Sequence, residues 1–188
     1  MDIECSKVEL ELLRKVAASA QSMKTPCYLI GGFVRDKIMG RLVSDLDFVC
    51  VGDGIELAYQ VAEQFDPPPA VAYFKNFGTA QIKLNAKHLK ESIHPEMQYE
   101  IEFVGARKES YSSHTRKPEV QPGSLEDDQL RRDFTINAMA ISLNENDYGK
   151  LSDPFGGITD LQNRILKTPL DPHLTFTDDP LRMMRAIR

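Results

Sequence analysis

Asp45 and Asp47 stand two residues apart at the head of an apolar run, Phe48-Val49-Cys50-Val51. In an extended chain, residues i and i+2 point to one face, with Cα atoms roughly 6.6–7 Å apart. Two carboxylates aimed together at that range repel each other unless a cation lies between them. Mg²⁺ held by one or two carboxylates and by substrate phosphates is the usual solution. Shortly upstream, Gly31-Gly32 precedes a short stretch carrying Arg35 and Asp36. Glycines that open a helix expose backbone N–H groups to a phosphate, and Arg35 adds a fixed cation. Taken singly, the aspartates fit a solvated turn and the glycines a tight one. Within one β-α-β unit they point together to a metal–triphosphate site.

Three further groups could act beside that pair. Gln98 to Val104 alternates Tyr99, Ile101 and Phe103 with Glu100 and Glu102, the period of a strand. A surface strand accounts for both glutamates. A strand laid beside the Asp45/Asp47 strand would instead bring Glu102 to the same cation, and a third carboxylate is a common companion in two-metal phosphoryl transfer. Arg131-Arg132-Asp133 fits an exposed helix face or, next to a phosphate site, triphosphate and ribose contacts. Guanidinium forks donate to phosphate oxygens, and a carboxylate accepts from a ribose hydroxyl. Asp179 and Arg182 are i and i+3 on one helix face, and Arg185 and Arg188 continue the three-residue interval. An ordinary salt bridge explains that pair, but so does base recognition. Cytosine and adenine present an amino donor beside a ring-nitrogen acceptor, and uracil and guanine present the reverse. An Asp–Arg acceptor–donor pair therefore suits C and A.

Positioning these groups calls for a sheet flanked by helices, an α+β fold. Val8, Leu12, Leu13, Val16 and Ala20 follow a helical period over residues 7–21. Ser6 is their N-cap, and Glu9 takes the capping-box position. A short helix follows the glycines, and another spans Ile55 to Phe65 before Pro67-Pro68-Pro69. Ala70–Phe74 and Thr79–Leu84 read as strands. Gly105 to Gly123 has no periodicity and reads as a mobile, locally basic loop. A helix is expected over Asp128 to Ala140, then a strand over Ala140 to Leu143. The last helix is expected to start at Asp178-Asp179-Pro180. It carries no stop signal, so the chain is expected to be a fragment of a longer protein. Hydrophobic residues make up 41% and charged residues 27%, as in an ordinary globular domain. The net charge of −5 argues against a generally basic nucleic-acid-coating protein, while leaving room for a local basic patch. No apolar run reaches the roughly 20 residues of a membrane helix, and the polar start does not read as a signal peptide. Cys5, Cys27 and Cys50 are odd in number and lack metal-ligand spacing, which suggests reduced thiols in a cytoplasmic protein.

Taken as a set, these residues resemble the class II tRNA nucleotidyltransferase and bacterial poly(A) polymerase family, within the DNA polymerase β superfamily. The matching stretches are Gly31-Gly32-x-Val34-Arg35-Asp36 with Asp45-x-Asp47; Arg131 to Ala138; Gly157-x-x-Asp160-Leu161; and Asp179-x-x-Arg182. The resemblance implies a nucleotidyltransferase head with a mixed or antiparallel sheet over residues 1–145. Residues 146–188 would begin a helical neck, with the body and tail domains absent. It implies two Mg²⁺ ions on Asp45 and Asp47, with Glu102 as a third catalytic carboxylate. Gly32, Arg35, Arg132, Arg185 and Arg188 would hold the nucleotide, Asp133 would lie near its ribose, and Asp179 and Arg182 would read its base. The implied partners are ATP, CTP and the 3′ end of tRNA. CCA addition is expected over poly(A) synthesis because Phe77-Gly78-Thr79-Ala80-Gln81 resembles the tRNA enzymes. CC-only and A-only addition remain open, as does a catalytically idle module that only binds a nucleotide.

Overall fold

The computed structural model describes residues 1–75, 78–89, 98–110 and 119–187. Helix α1 (Lys7–Ser22) begins at a capping box in which the Ser6 hydroxyl accepts from the Glu9 N–H and the Glu9 carboxylate accepts from the Ser6 N–H. Strand β1 (Cys27–Ile30), helix α2 (Gly32–Ile38) and strand β2 (Asp45–Cys50) follow, then α3 (Gly54–Ala62), capped by Asp53. Next come β3 (Val71–Phe74), β4 (Thr79–Leu84) and β5 (Tyr99–Gly105). Among the described residues, one sheet runs β3-β4-β5-β2-β1-β8-β9, where β8 is Ala140–Ser142 and β9 is Leu151–Ser152. Only β2 and β5 pair in parallel, so the sheet is mixed.

The segment read as a β-α-β unit differs in direction. β1 and β2 are antiparallel, with Ile30 opposite Asp47 and Cys27 opposite Cys50. Helix α2 has only seven residues, roughly 10 Å of rise, and returns the chain to the end of the sheet it left. That reversal puts the glycine turn and the paired aspartates at the same end. A parallel crossover would have separated them by the length of a strand.

Alternation fixes what each face does. Leu46, Phe48 and Cys50 of β2, and Ile101 and Phe103 of β5, point to the main core with Leu12, Leu13 and Val16 of α1 and Leu57, Ala58 and Val61 of α3. The Phe48 and Phe103 rings stack with centroids 5.4 Å apart. Burying each ring contributes roughly 1.5–3 kcal/mol. The other face carries only a small apolar cluster, Ile30, Val49, Ala106 and Ala140, and beyond it the carboxylates.

Three later segments depart from expectation. Residues 105–123 were expected to be loop, yet β6 (Arg107–Ser110) and β7 (Glu119–Pro122) form an antiparallel pair; residues 111–118 lie outside the described residues. Helix α4 covers only Leu125–Leu130, with Ser124 and Asp127 forming its capping box. It stops because the Asp133 carboxylate captures the Phe134 N–H at 2.8 Å and Phe134 is extended. A short aspartate side chain competes with the helix for backbone partners. A 3₁₀ turn, Thr135–Asn137, then leads into β8. Near the end, Asp178 closes a helix instead of opening one. α5 is Gly157–Gln162, α6 is Pro172–Asp178, capped by Asp171, and α7 is Leu181–Arg185.

Candidate active site

The paired aspartates belong to a row that crosses the sheet. Ala140 opposes Ile30, Ile30 opposes Asp47, Asp47 opposes Glu102, and Glu102 opposes Gln81. Residues directly opposite in adjacent strands project to one face, so Asp47 and Glu102 share it, with Asp45 two residues along. One step along β5, Glu100 is taken up by Lys83 at 2.6 Å, the ordinary surface pairing that alternation alone suggests. Glu102 has a carboxylate beside it instead.

The electrostatics follow from that crowding. Burial raises the Asp47 pKa, Arg132 opposes the rise, Asp45 adds to it, and Arg185 opposes it. Glu102 is likewise raised by desolvation and by Asp47, against Arg107 and Arg132. Two neighbouring carboxylates that resist ionising, with a third on the same face, present hard oxygen donors short of positive charge. Among the described residues, no three potential ligand side chains close a metal cage by themselves. Open carboxylate ligation completed by substrate oxygens is the manner of Mg²⁺, and these residues fit it.

The cationic side of the site comes from three elements. At the end of β1, Gly31 takes φ 83°. A Cβ there would lie 3.1 Å from Arg132 Nη1 and 3.2 Å from Asp47 Oδ2, so the turn, the arginine and the aspartate meet at one point. From α2, Arg35 donates through Nε and Nη2 to Asp36, at 3.0 and 2.8 Å, and through Nη1 to Asn137 Oδ1 at 2.6 Å. Asn137 Nδ2 donates to Asp133 Oδ1 at 3.0 Å. Asp133 Oδ2 sits 2.8 Å from Arg185 Nε of α7, a close ion pair that lacks hydrogen-bond alignment. After α4, Arg132 lies against Asp128 through Nε and Nη2. The 3₁₀ turn is braced from α5, where Thr135 Oγ1 donates to Asp160 Oδ2 at 2.7 Å. A side chain at Gly157 would strike the Thr135 carbonyl oxygen at 2.5 Å.

The structure therefore brings Asp45, Asp47, Glu102, Arg35, Arg132, Asp133 and Arg185 to one region beside Gly31 and Gly32. Asp179 and Arg182 pair with each other at 3.9 Å, and Arg182 Nη1 also approaches the Thr175 carbonyl oxygen at 3.4 Å. Arg188 and Phe77 lie outside the described residues. Sequence reasoning gave no role to Asp128, and named Asn137 only within the Arg131–Ala138 stretch that carries the resemblance. The signal for Asp128 was its place one helical turn before Arg131 and Arg132, where i, i+3 and i, i+4 side chains meet. Nothing in the spacing marked Asn137.

A mixed sheet with a carboxylate row, a glycine turn and converging arginines defines a nucleotidyltransferase head. The chain belongs to the Poly A polymerase head domain family, which matches residues 27–167. It is 43% identical over 161 residues to the A-adding tRNA nucleotidyltransferase of Aquifex aeolicus, covering 86% of this chain and 18% of that protein. A tRNA nucleotidyltransferase solved with a primer tRNA and an incoming ATP analog aligns at TM-score 0.71 and 38% identity, over 92% of this chain and 43% of that one. The Thermotoga maritima CCA-adding enzyme, solved in complex with tRNA, aligns at TM-score 0.74 and 32% identity, over 97% of this chain and 38% of that one. The chain spans less than half the length of each of these relatives. None of its helices is long and apolar enough to cross a membrane among the described residues.

Proposed function

We propose that the chain is the catalytic part of an enzyme that adds C and A, from CTP and ATP, to the 3′ end of tRNA without a nucleic-acid template. The observation that carries this reading is Asp47 in register with Glu102 on the open face of the sheet, with Arg132 and Gly31 closing on it. Asp45 and Asp47 would hold Mg²⁺, two ions being expected, with Glu102 as the third carboxylate. Bound there, the metal supplies positive charge that lowers the pKa of the attacking hydroxyl and favours departure of pyrophosphate. In the reaction the RNA 3′-hydroxyl gives up its proton to solvent, its oxygen forms a bond to the α-phosphorus, the bond from that phosphorus to the α,β-bridging oxygen breaks, and pyrophosphate leaves in line. Gly32, Arg35, Arg132, Arg185 and Arg188 would hold the triphosphate, and Asp133 would accept from a ribose hydroxyl. Arg185 then exchanges its contact with Asp133 for phosphate. Asp179 and Arg182 would turn from each other to the base edge. Residues 1–145 would form the head, and nucleotide selection would begin in 146–188, although the sheet itself runs on to β9. The free thiols of Cys5, Cys27 and Cys50 support a reducing compartment, and we assign the cytoplasm.

A narrower reading, addition of A alone, draws support from the A-adding relative; a poly(A) polymerase or a CC-only enzyme would share the same head. An idle nucleotide-binding module is disfavoured because both aspartates are present. The test incubates the protein with Mg²⁺, each of the four NTPs in turn, and tRNA ending before or after its CC. C and A should be incorporated, U and G poorly, and chelation of the metal should stop addition. Incorporation of UTP or GTP as good as that of CTP or ATP would sink the base-reading assignment, and activity surviving Asp45→Ala would sink the metal assignment.

A further inference from the structure

Asp128 is fully buried, at 0% exposure, on the last turn of α4. A carboxylate taken out of water is costly unless it is paired and hydrogen-bonded, and this one is enclosed by two guanidinium groups. Arg131 closes on Oδ1 through Nε at 3.0 Å and through Nη2. Arg132 closes on Oδ2 through Nε at 3.2 Å and Nη2 at 3.1 Å. Both ends of the carboxylate are thereby used, and the plane of the Arg132 fork is fixed. Its remaining nitrogen, Nη1, donates to the Asn137 carbonyl oxygen at 3.4 Å and lies at the Gly31 turn, where a Cβ would stand 3.1 Å from it and 3.2 Å from Asp47 Oδ2.

We infer that Asp128 is a positioning residue for nucleotide binding: it acts through Arg132, holding that guanidinium at the glycine turn in the orientation that meets the triphosphate. The inference rests on the nucleotide reading above. An arginine loose on its long side chain must be ordered when phosphate arrives, whereas one clamped by a buried carboxylate is ordered beforehand. Supporting groups of this kind are worth 10- to 100-fold, on the order of magnitude seen for residues that orient metal ligands.

The experiment is calorimetric titration of the full chain with Mg²⁺·ATP and Mg²⁺·CTP, together with a thermal melt of each variant. Asp128→Asn should weaken binding about 10- to 100-fold. In an Arg132→Ala background the same substitution should change binding by less than about twofold, because the group it positions is gone. A merely structural Asp128 would weaken binding equally in both backgrounds, and that result, or unchanged binding in Asp128→Asn, overturns the inference. If Asp128→Asn does not fold, the charge-balanced pair Asp128→Asn with Arg131→Gln takes its place, with the same loss expected. If that pair does not fold either, Asp128 is a folding residue and the inference is overturned. If the unaltered chain binds neither nucleotide, the nucleotide reading itself falls and this inference with it.

Discussion

Gly31 shows how much of the site depends on a missing side chain. Its φ of 83° and ψ of −140° lie where L side chains are strained, at a cost of about 1–3 kcal/mol for a non-glycine residue. The space is also taken: a Cβ would crowd Arg132 Nη1 and Asp47 Oδ2 at 3.1 and 3.2 Å. Arg132 has little freedom to retreat while its Nε and Nη2 are engaged by Asp128, and Asp47 is fixed by two neighbouring strands. The neighbouring Gly32 meets no such limit, since its Cβ would find only Arg35 Nη2 at 3.7 Å. Gly31→Ala is therefore expected to lower stability by about 1–3 kcal/mol in urea unfolding, and Gly32→Ala by less. Equal stability of Gly31→Ala and the unaltered chain would show that the turn relaxes freely. The resemblance assigned Gly32 to the nucleotide; that its neighbour Gly31 is the one with positive φ is not legible from the spacing of two adjacent glycines.

At the level of elements, the contact that sets α2 is a buried ion pair. Lys37 of α2 reaches both oxygens of Glu9 on α1, at 2.6 and 2.7 Å, with side chains only 9% and 4% exposed. Because α2 also carries Arg35, this pair ties the N-terminal helix to the site. Removing one partner strands a buried charge, so Lys37→Met is expected to cost about 3–5 kcal/mol. The double replacement Glu9→Leu with Lys37→Met leaves no charge behind, and should cost only about 1 kcal/mol for the lost capping box. Urea unfolding of the two variants and the unaltered chain decides: a double variant as unstable as the single one would mean that the pair, and not the stranded charge, supplies the stability. The ion pair was not legible, because Glu9 was already accounted for as a cap and Lys37 lies 28 residues away. The same limit runs through the rest of the molecule. The capping box at Ser6 and the two-residue period over residues 98–104 are local patterns, and they gave α1 and β5 nearly to the residue. The Asp47–Glu102 register joins strands about 50 residues apart, and only as a possibility could alternation offer it. The stop after Leu130 turns on the Asp133 carboxylate taking the Phe134 N–H, a competition that helix propensity does not capture. Helix α6 carries its own signals, Asp171 at the N-cap and Pro172 at N1, which the sequence reading leaves unused; the start it places at Asp178-Asp179-Pro180 is that of α7, with Pro180 as N-cap.

Across the whole molecule, stability and nucleotide-facing charge are held in different places. The sheet and helices α1 and α3 enclose the main apolar core. Helix α7 buries none of its residues, and α6 buries only Thr175. Leu174, Leu181, Met184 and Ile187 are 56%, 70%, 64% and 81% exposed. Arg185, itself 66% exposed, joins α7 to the head through Asp133. With Arg185 largely in solvent and Asp133 buried, this single ion pair holds α7 to the head far less than a packed helix face would. The two parts should therefore open independently, since local opening follows the amount of buried apolar contact. Native-state hydrogen exchange should find the amides of β1, β2 and β5 exchanging only through global unfolding. Those of α7 should open at a cost of about 1–2 kcal/mol or less. If the proposed nucleotide site is right, Mg²⁺·ATP gives Arg182 and Arg185 an anionic and base-edge partner, and protection should rise in α7 while β2 stays unchanged. Protection of α7 equal to that of β2 in the free chain would show that the last helix is part of the cooperative core, and its arginines would then be fixed in place before any nucleotide arrives.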